Sequence, residues 1–373
     1  MSLRVIVAPA PFKGALGPAD AAAAIAMGVR LAGHEAVEVP VADGGEGTMS
    51  ALVAAAGGRI VTAPARDPLG RAIRAGFGLL LDGTAVVELA QASGYERLAD
   101  AERDPEATST LGTGDLIRAA LDAGAARLIV GVGGSATTDG GTGIVIALGA
   151  RATDASGTPL GGIGADLLRI RSVDLSGLDR RLAGVPIEVA CDVTSPLVGP
   201  RGAAHVFGPQ KGASAAAIVR LNAGLANLAA VLAGQGLPDV GDLPRAGAAG
   251  GAAGGMAAML GAVLTDGGAL ITTRAGLPAA LAGADLCITG EGRLDTQTLT
   301  GKAPAAVARA CAAAGVPCVG LFGQVAVPPG IVRRMGLAAA LPIGRAVRPL
   351  AEALAATADD LAAQAVAVMA LRA

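Results

Sequence analysis

Between an apolar strand pattern at Leu128–Gly131 and a helical pattern near 143–148, the chain reads Gly131-Val-Gly-Gly-Ser-Ala-Thr-Thr-Asp-Gly-Gly-Thr-Gly143. Small residues let backbone amides come close to an anion, which makes Gly133, Gly134 and Ser135 candidate phosphate contacts. The same residues also suit a tight turn in which Ser, Thr and Asp139 merely cap the next helix.

A second constellation, Thr289 to Lys302, places Glu291, Arg293, Asp295 and Lys302 after a strand. Two carboxylates and two cations there suit magnesium and phosphate, or else a solvated, ion-paired loop. Asp192 follows the strand pattern 188–191 and is positioned to orient a hydroxyl or a metal, or to close an Asx turn. Lys13 and Lys211 lie in glycine-bearing loops where a cation meets phosphate or carboxylate, although such lysines more often lie on the surface. Asp43 opens a loop, 42–47, at the carboxyl end of a strand, where open α/β sheets bind ligands. Phosphoryl transfer uses such parts together: amides and cations for phosphates, carboxylates for magnesium, and a group beside the accepting hydroxyl.

Other chemistries lack their signatures. No Walker loop is present, because no glycine stands five residues before Gly301-Lys302 and residue 303 is alanine. Gly112-Thr113-Gly114 precedes a helix but does not directly follow a strong strand, so a nicotinamide-dependent hydroxy-acid dehydrogenase is the weaker enzyme alternative. His34 and His205 have no metal-ligand spacing or triad partners.

The elements that must hold these residues read as α/β. A strand at 4–8, a helix at 21–31 with Asp20 as its cap, and a strand at 36–41 open the chain with a βαβ unit, followed by a helix at 48–56. Runs at 73–80 and 84–89 flank Asp82-Gly83, which predicts a hairpin with a type I′ turn. Further on come a helix at 114–123, a strand at 187–191, a helix at 214–233 capped by Ser214, and a glycine-rich connector at 241–255. A strand at 285–289, a helix at 304–314, a strand at 316–322 and terminal helices at 350–371 restore the texture of the opening. The simplest architecture is a parallel-sheet domain formed by both chain ends, 1–63 plus 281–373, with 64–280 inserted as a second α/β domain.

At 373 residues the chain exceeds one ordinary core, and 57 glycines with one tyrosine, four phenylalanines and no tryptophan mean small-residue packing. A net charge of -2 with mixed signs provides no field for nucleic acid or anionic lipid. The uncharged stretch Ala246–Thr265 is about long enough to span a bilayer, but its glycine and alanine content predicts an interior segment, so no membrane partner is expected. The short apolar start at 4–7, soon met by prolines, is no signal peptide, and the four cysteines form no CxxC pair, so a reduced cytoplasmic setting is expected. The sequence leaves open whether the chain forms a homo-oligomer.

Val41 to Thr48, Asp67-Pro68-Leu69-Gly70-Arg71, the Gly133–Gly143 run, Ala190-Cys191-Asp192, Phe207 to Ala213, Ala248 to Gly251 and Gly290 to Lys302 occur in one order across nearly the whole chain. In this the chain resembles bacterial glycerate kinases. The resemblance implies ATP-dependent phosphorylation of D-glycerate, usually to 2-phosphoglycerate. It also implies a flavodoxin-like α/β domain paired with a second α/β domain and an active site in the cleft. On that footing ATP phosphates belong near Gly133, Gly134, Ser135, Lys211 and Lys302, and Mg2+ near Asp295 or Asp139. Asp192, Lys13 and Arg293 are the catalytic candidates, and Asp43, Arg71 and Ser135 the substrate contacts, with Arg71 or Arg293 on the glycerate carboxylate. The family pattern Ala-Pro-Asp-Ser-Phe-Lys-Gly becomes Ala8-Pro9-Ala10-Pro11-Phe12-Lys13-Gly14 here, Thr138 replaces Asn, and Phe322-Gly323-Gln324 replaces Ala-Gly-Ser. A non-catalytic phosphometabolite sensor and a kinase of a related hydroxy acid are the alternatives these departures raise.

Overall fold

A computed structural model describes residues 2–295 and 302–371. The chain divides into a terminal unit (Met1–Asp43, Ser50–Gly58 and Asp266–Ala373) and a central unit (Gly44–Met49 and Arg59–Thr265). The sequence-derived breaks at 64 and 281 thus stand beside observed ones at 58 and 266, and the hexapeptide 44–49 belongs with the central unit.

The terminal unit is a parallel sheet in the order Ala339–Pro342, Cys318–Val325, Leu286–Leu294, Arg4–Pro9, Glu35–Glu38. Numbered within the unit this is 2-1-3-4-5, the flavodoxin-like order, whose switch point lies between Arg4–Pro9 and Leu286–Leu294. Val5, Val7, Leu286, Ile288 and Leu321 form one buried face with Ala21, Ile25 and Val29 of helix Pro18–Leu31 and Leu361, Ala365 and Met369 of helix Thr357–Ala370. Both central strands are near-continuous apolar runs because helices cover both sides of such a sheet. Helix Pro18–Leu31 is capped by Gly17 with proline in the first turn, so Asp20, expected as the cap, lies inside that turn, where its charge complements the helix dipole.

The central unit has a six-stranded sheet in the order Val263–Asp266, Ile187–Cys191, Arg127–Gly131, Thr84–Glu88, Ala72–Leu80, Gly58–Arg66. Ala72–Leu80 and Thr84–Glu88 pair antiparallel as expected. Their turn is not type I′: only Gly83 is left-handed, and its amide donates to Leu80 O at 3.1 Å. The three-residue loop therefore ends a type I turn on glycine, and Asp82 instead accepts the Thr84 amide. Thr84–Glu88, Arg127–Gly131 and Ile187–Cys191 run parallel, so their carboxyl ends fall on one edge.

Helix Ala215–Gly234 carries the expected cap, with Ser214 Oγ accepting the Ala217 amide. Among the described residues it alone is long and apolar enough to cross a membrane. Its Leu221, Leu225, Leu228 and Leu232 recur at helical spacing and pack into a core with Leu167, Ile170 and Leu197. The 246–265 stretch is no single helix: turns lead into helix Ala252–Leu260 and then into strand Val263–Asp266. The connector expected at 241–255 accordingly gives way to helix from Ala252 onward.

Candidate active site

At the carboxyl edge of the central sheet, the Gly44–Met49 segment crosses the ends of strands Arg127–Gly131 and Ile187–Cys191 with almost no clearance. A Cβ on Gly44, at φ +97°, would come within 2.5 Å of Ala190 O, and one on Gly131 within 2.6 Å of Gly44 O. Only glycine admits such an approach in a left-handed conformation. The Gly133 amide donates to Gly44 O at 3.1 Å. That amide, expected on phosphate, is therefore spent on locking the crossing, and the exposed Gly134 is the loop position left facing outward.

Glu88 ends strand Thr84–Glu88 at 2% exposure and accepts the Met49 amide at 2.7 Å at the start of helix Thr48–Ala56. Burial raises its carboxyl, and amide bonds from Met49 and a side-chain bond from Gln91 pull the other way. Nothing in the sequence marks Glu88 as part of the site, since it reads as the polar end of an apolar strand. Arg245 carries no such mark either. It sits at φ +74° and donates from Nη1 to Cys191 O at 3.0 Å, a cation at the strand end from which Asp192 projects. A non-glycine residue in that region costs on the order of 1–3 kcal/mol and persists only where its surroundings impose it.

Inside the glycine-rich loop two charges are sealed. Lys211 is 2% exposed and donates from Nζ to Ser135 Oγ at 2.8 Å and to Thr137 O at 2.6 Å. Burial holds its ammonium down to about 7, with Asp139 opposing the shift. Asp139 is 0% exposed and accepts the Thr110 amide (2.8 Å) and hydroxyl (2.7 Å) and the amides of Gly141 (3.0 Å) and Gly143 (3.2 Å). Burial raises its carboxyl despite those four bonds. Thus Asp139, expected as a metal ligand, has both oxygens engaged internally, and Lys211, expected on ATP, braces the loop from within. The hydroxyls of Thr137 and Thr138 are buried with no hydrogen-bond partner.

Arg71 is bound to Asp67 and, at 2.7 Å, to Glu102, so its guanidinium is already paired within the Asp67–Arg71 turn.

In the terminal unit, the switch point carries Ala10, Phe12, Lys13 and the strand end Glu291–Asp295. Ala10 is 4% exposed and its amide donates to Gly290 O at 2.8 Å, while Lys13 is exposed with its backbone against Gly292. Asp295 is half-buried, 3.9 Å from both Arg293 Nε and Lys302 Nζ. Lys302 caps helix Ala303–Ala314, placing its charge beside the positive helix end. Asp43 is half-buried at the end of this unit's first segment. The residues 296–301 of the Thr289–Lys302 constellation lie outside the described ones.

In each unit, loops with amides and charged side chains stand at the carboxyl ends of parallel strands, the place where open α/β sheets bind ligands. The glycerate kinase family model matches residues 5–373. The chain is 43% identical to the glycerate 2-kinase of Escherichia coli K12, over 96% of this chain and 95% of that protein. It is equally 43% identical to the glycerate kinase of Bacillus subtilis 168, over 97% of each. A crystal structure from Salmonella typhimurium LT2, provisionally assigned as glycerate kinase 2, superposes with a TM-score of 0.89 at 42% identity, covering 100% of this chain and 98% of that one. The chain belongs to the glycerate kinase family, and it is a kinase.

Proposed function

We propose that the protein transfers the terminal phosphoryl group of ATP to a hydroxyl of D-glycerate, giving 2-phosphoglycerate as the activity of the Escherichia coli relative implies. The observation that carries this reading is the family match over nearly the whole chain.

Asp192 orients the accepting hydroxyl and takes its proton as the new O–P bond forms. Its strand end is fixed by Arg245 and by the Gly44 crossing, which supplies the positioning on which phosphoryl transfer depends. Gly134 and Ser135 offer the loop to phosphate, braced by Lys211. Lys13, Arg293 and Lys302 supply positive charge for phosphate and glycerate carboxylate, and Asp43 contacts the substrate. Arg71 is already paired, so the carboxylate role falls to Arg293.

Magnesium takes carboxylate oxygen, and Asp295 provides it on a half-buried side chain between two cations, whereas Asp139 does not fit because its oxygens are filled. Bound there, the ion would neutralise charge on the transferring phosphoryl group. Four free, buried thiols suit a reducing, cytoplasmic setting.

The test is ADP release by purified protein given ATP, magnesium and D-glycerate, with related hydroxy acids alongside and the product assigned by phosphorus NMR. Turnover confined to another acid would move the substrate assignment, and no ADP release with any would overturn the proposal.

A further inference from the structure

Three cysteines far apart in sequence meet at the other end of the terminal sheet from Arg293 and Asp295. Parallel pairing sets Cys287 directly against Cys318 on neighbouring strands. Leu286 and Ile288 point into the core under helices Pro18–Leu31 and Thr357–Ala370, so alternation sends Cys287 to the opposite face. Helix Ala303–Ala314 packs there and contributes Cys311. All three are free thiols no more than 1% exposed, and their sulfurs lie within 4.8 Å of one another.

We propose that Cys287, Cys311 and Cys318 form a buried three-sulfur site for one thiophilic monovalent cation, Cu(I), which ties the two strands to the helix. A buried thiol by itself is a small hydrophobe. Three sulfurs converging from three separate elements are a ligand set, and soft thiolate sulfur selects Cu(I). Structural zinc takes four ligands, and among the described residues no fourth cysteine, histidine or carboxylate joins the group.

The site is independent of the proposed phosphoryl transfer. The full chain, reduced and anaerobic, is titrated with Cu(I) against a colorimetric Cu(I) chelator. The expected result is withdrawal of one equivalent, a sulfur-to-copper charge-transfer absorption and a higher melting temperature. Cys311→Ala, verified as folded by circular dichroism, retains Cu(I) at least a hundredfold more weakly, and Cys191→Ala behaves as the parent. Failure of the parent to withdraw Cu(I), or equal withdrawal by Cys311→Ala, would overturn the proposal and leave the cysteines as packing residues.

Discussion

In the central unit the lysine and aspartate closest to the glycine-rich loop are shut away from water and hydrogen-bonded to the protein, as Lys211 and Asp139 are. In the terminal unit the side chains of Arg293, Asp295 and Lys302 keep 62%, 28% and 24% of their surface, and each cation stands 3.9 Å from the carboxylate. A buried charge must be satisfied internally and therefore shapes the backbone around it. An exposed charge contributes little to the fold and stays available to a ligand. Charge of the same kind thus serves as scaffold at Lys211 and Asp139 and, on the proposed function, stays available as reagent at Arg293, Asp295 and Lys302.

The largest expected effect breaks the scaffold side. Asp139→Ala strips four donors of their acceptor and leaves Lys211 without its neighbouring charge, costing about 3–5 kcal/mol in urea unfolding. A loss under about 1 kcal/mol would remove Asp139 from the scaffold.

Lys211 sharpens the same point through pH. With its native value near 7 and its unfolded value at 10.5, the unfolded chain holds a proton that the native chain lacks throughout that window. Stability therefore rises with pH from 7 towards 10.5, by about 1.4 kcal/mol for each unit of separation between the two values. Below 7 both states are protonated and the burial penalty is constant. Lys211→Met should lack this rise, read as the difference between the two unfolding-versus-pH curves.

Among the groups proposed to act on substrate, Asp192→Asn in the central unit should lower kcat about a hundredfold while leaving the melting temperature unchanged. Arg293→Ala should raise KM for glycerate roughly tenfold, again without loss of stability, because its side chain is mostly exposed. A destabilised Arg293→Ala would contradict the division drawn between buried and exposed charges. Smallest of all, Thr137→Val replaces an unpartnered buried hydroxyl and should stabilise the chain by up to about 1 kcal/mol in the same urea assay.

Where pattern and burial coincide, the fold is legible from sequence. The runs at 4–8 and 187–191, the Ser214 cap and the return of strand-helix-strand texture after 285 all appear as read. The discontinuous parallel-sheet domain follows from that texture. Legibility ends where a residue's role depends on a neighbour distant in the chain. Lys211 reads as a loop lysine until Ser135 and Thr137 are seen to receive it. Glu88 looks like a strand end until the Met49 amide reaches it, and Arg245 gives no hint of its left-handed backbone. The lack of a side chain at Gly133 does signal a close approach, but what meets its amide is Gly44 O, a backbone pairing that composition does not disclose.

The interleaved chain path has a consequence for biosynthesis. Strand Arg4–Pro9 pairs with Leu286–Leu294, so an early product of the ribosome waits for a partner made much later. At about 5–20 residues per second, that wait is roughly 15 to 60 seconds. By its close the central unit, nearly continuous from Arg59 to Thr265, is already complete, while the apolar strand that will form the middle of the other sheet has had no edge to join on that side. The nascent chain therefore carries an apolar strand with one open edge ahead of its finished central unit, exposed to any chaperone that screens emerging segments.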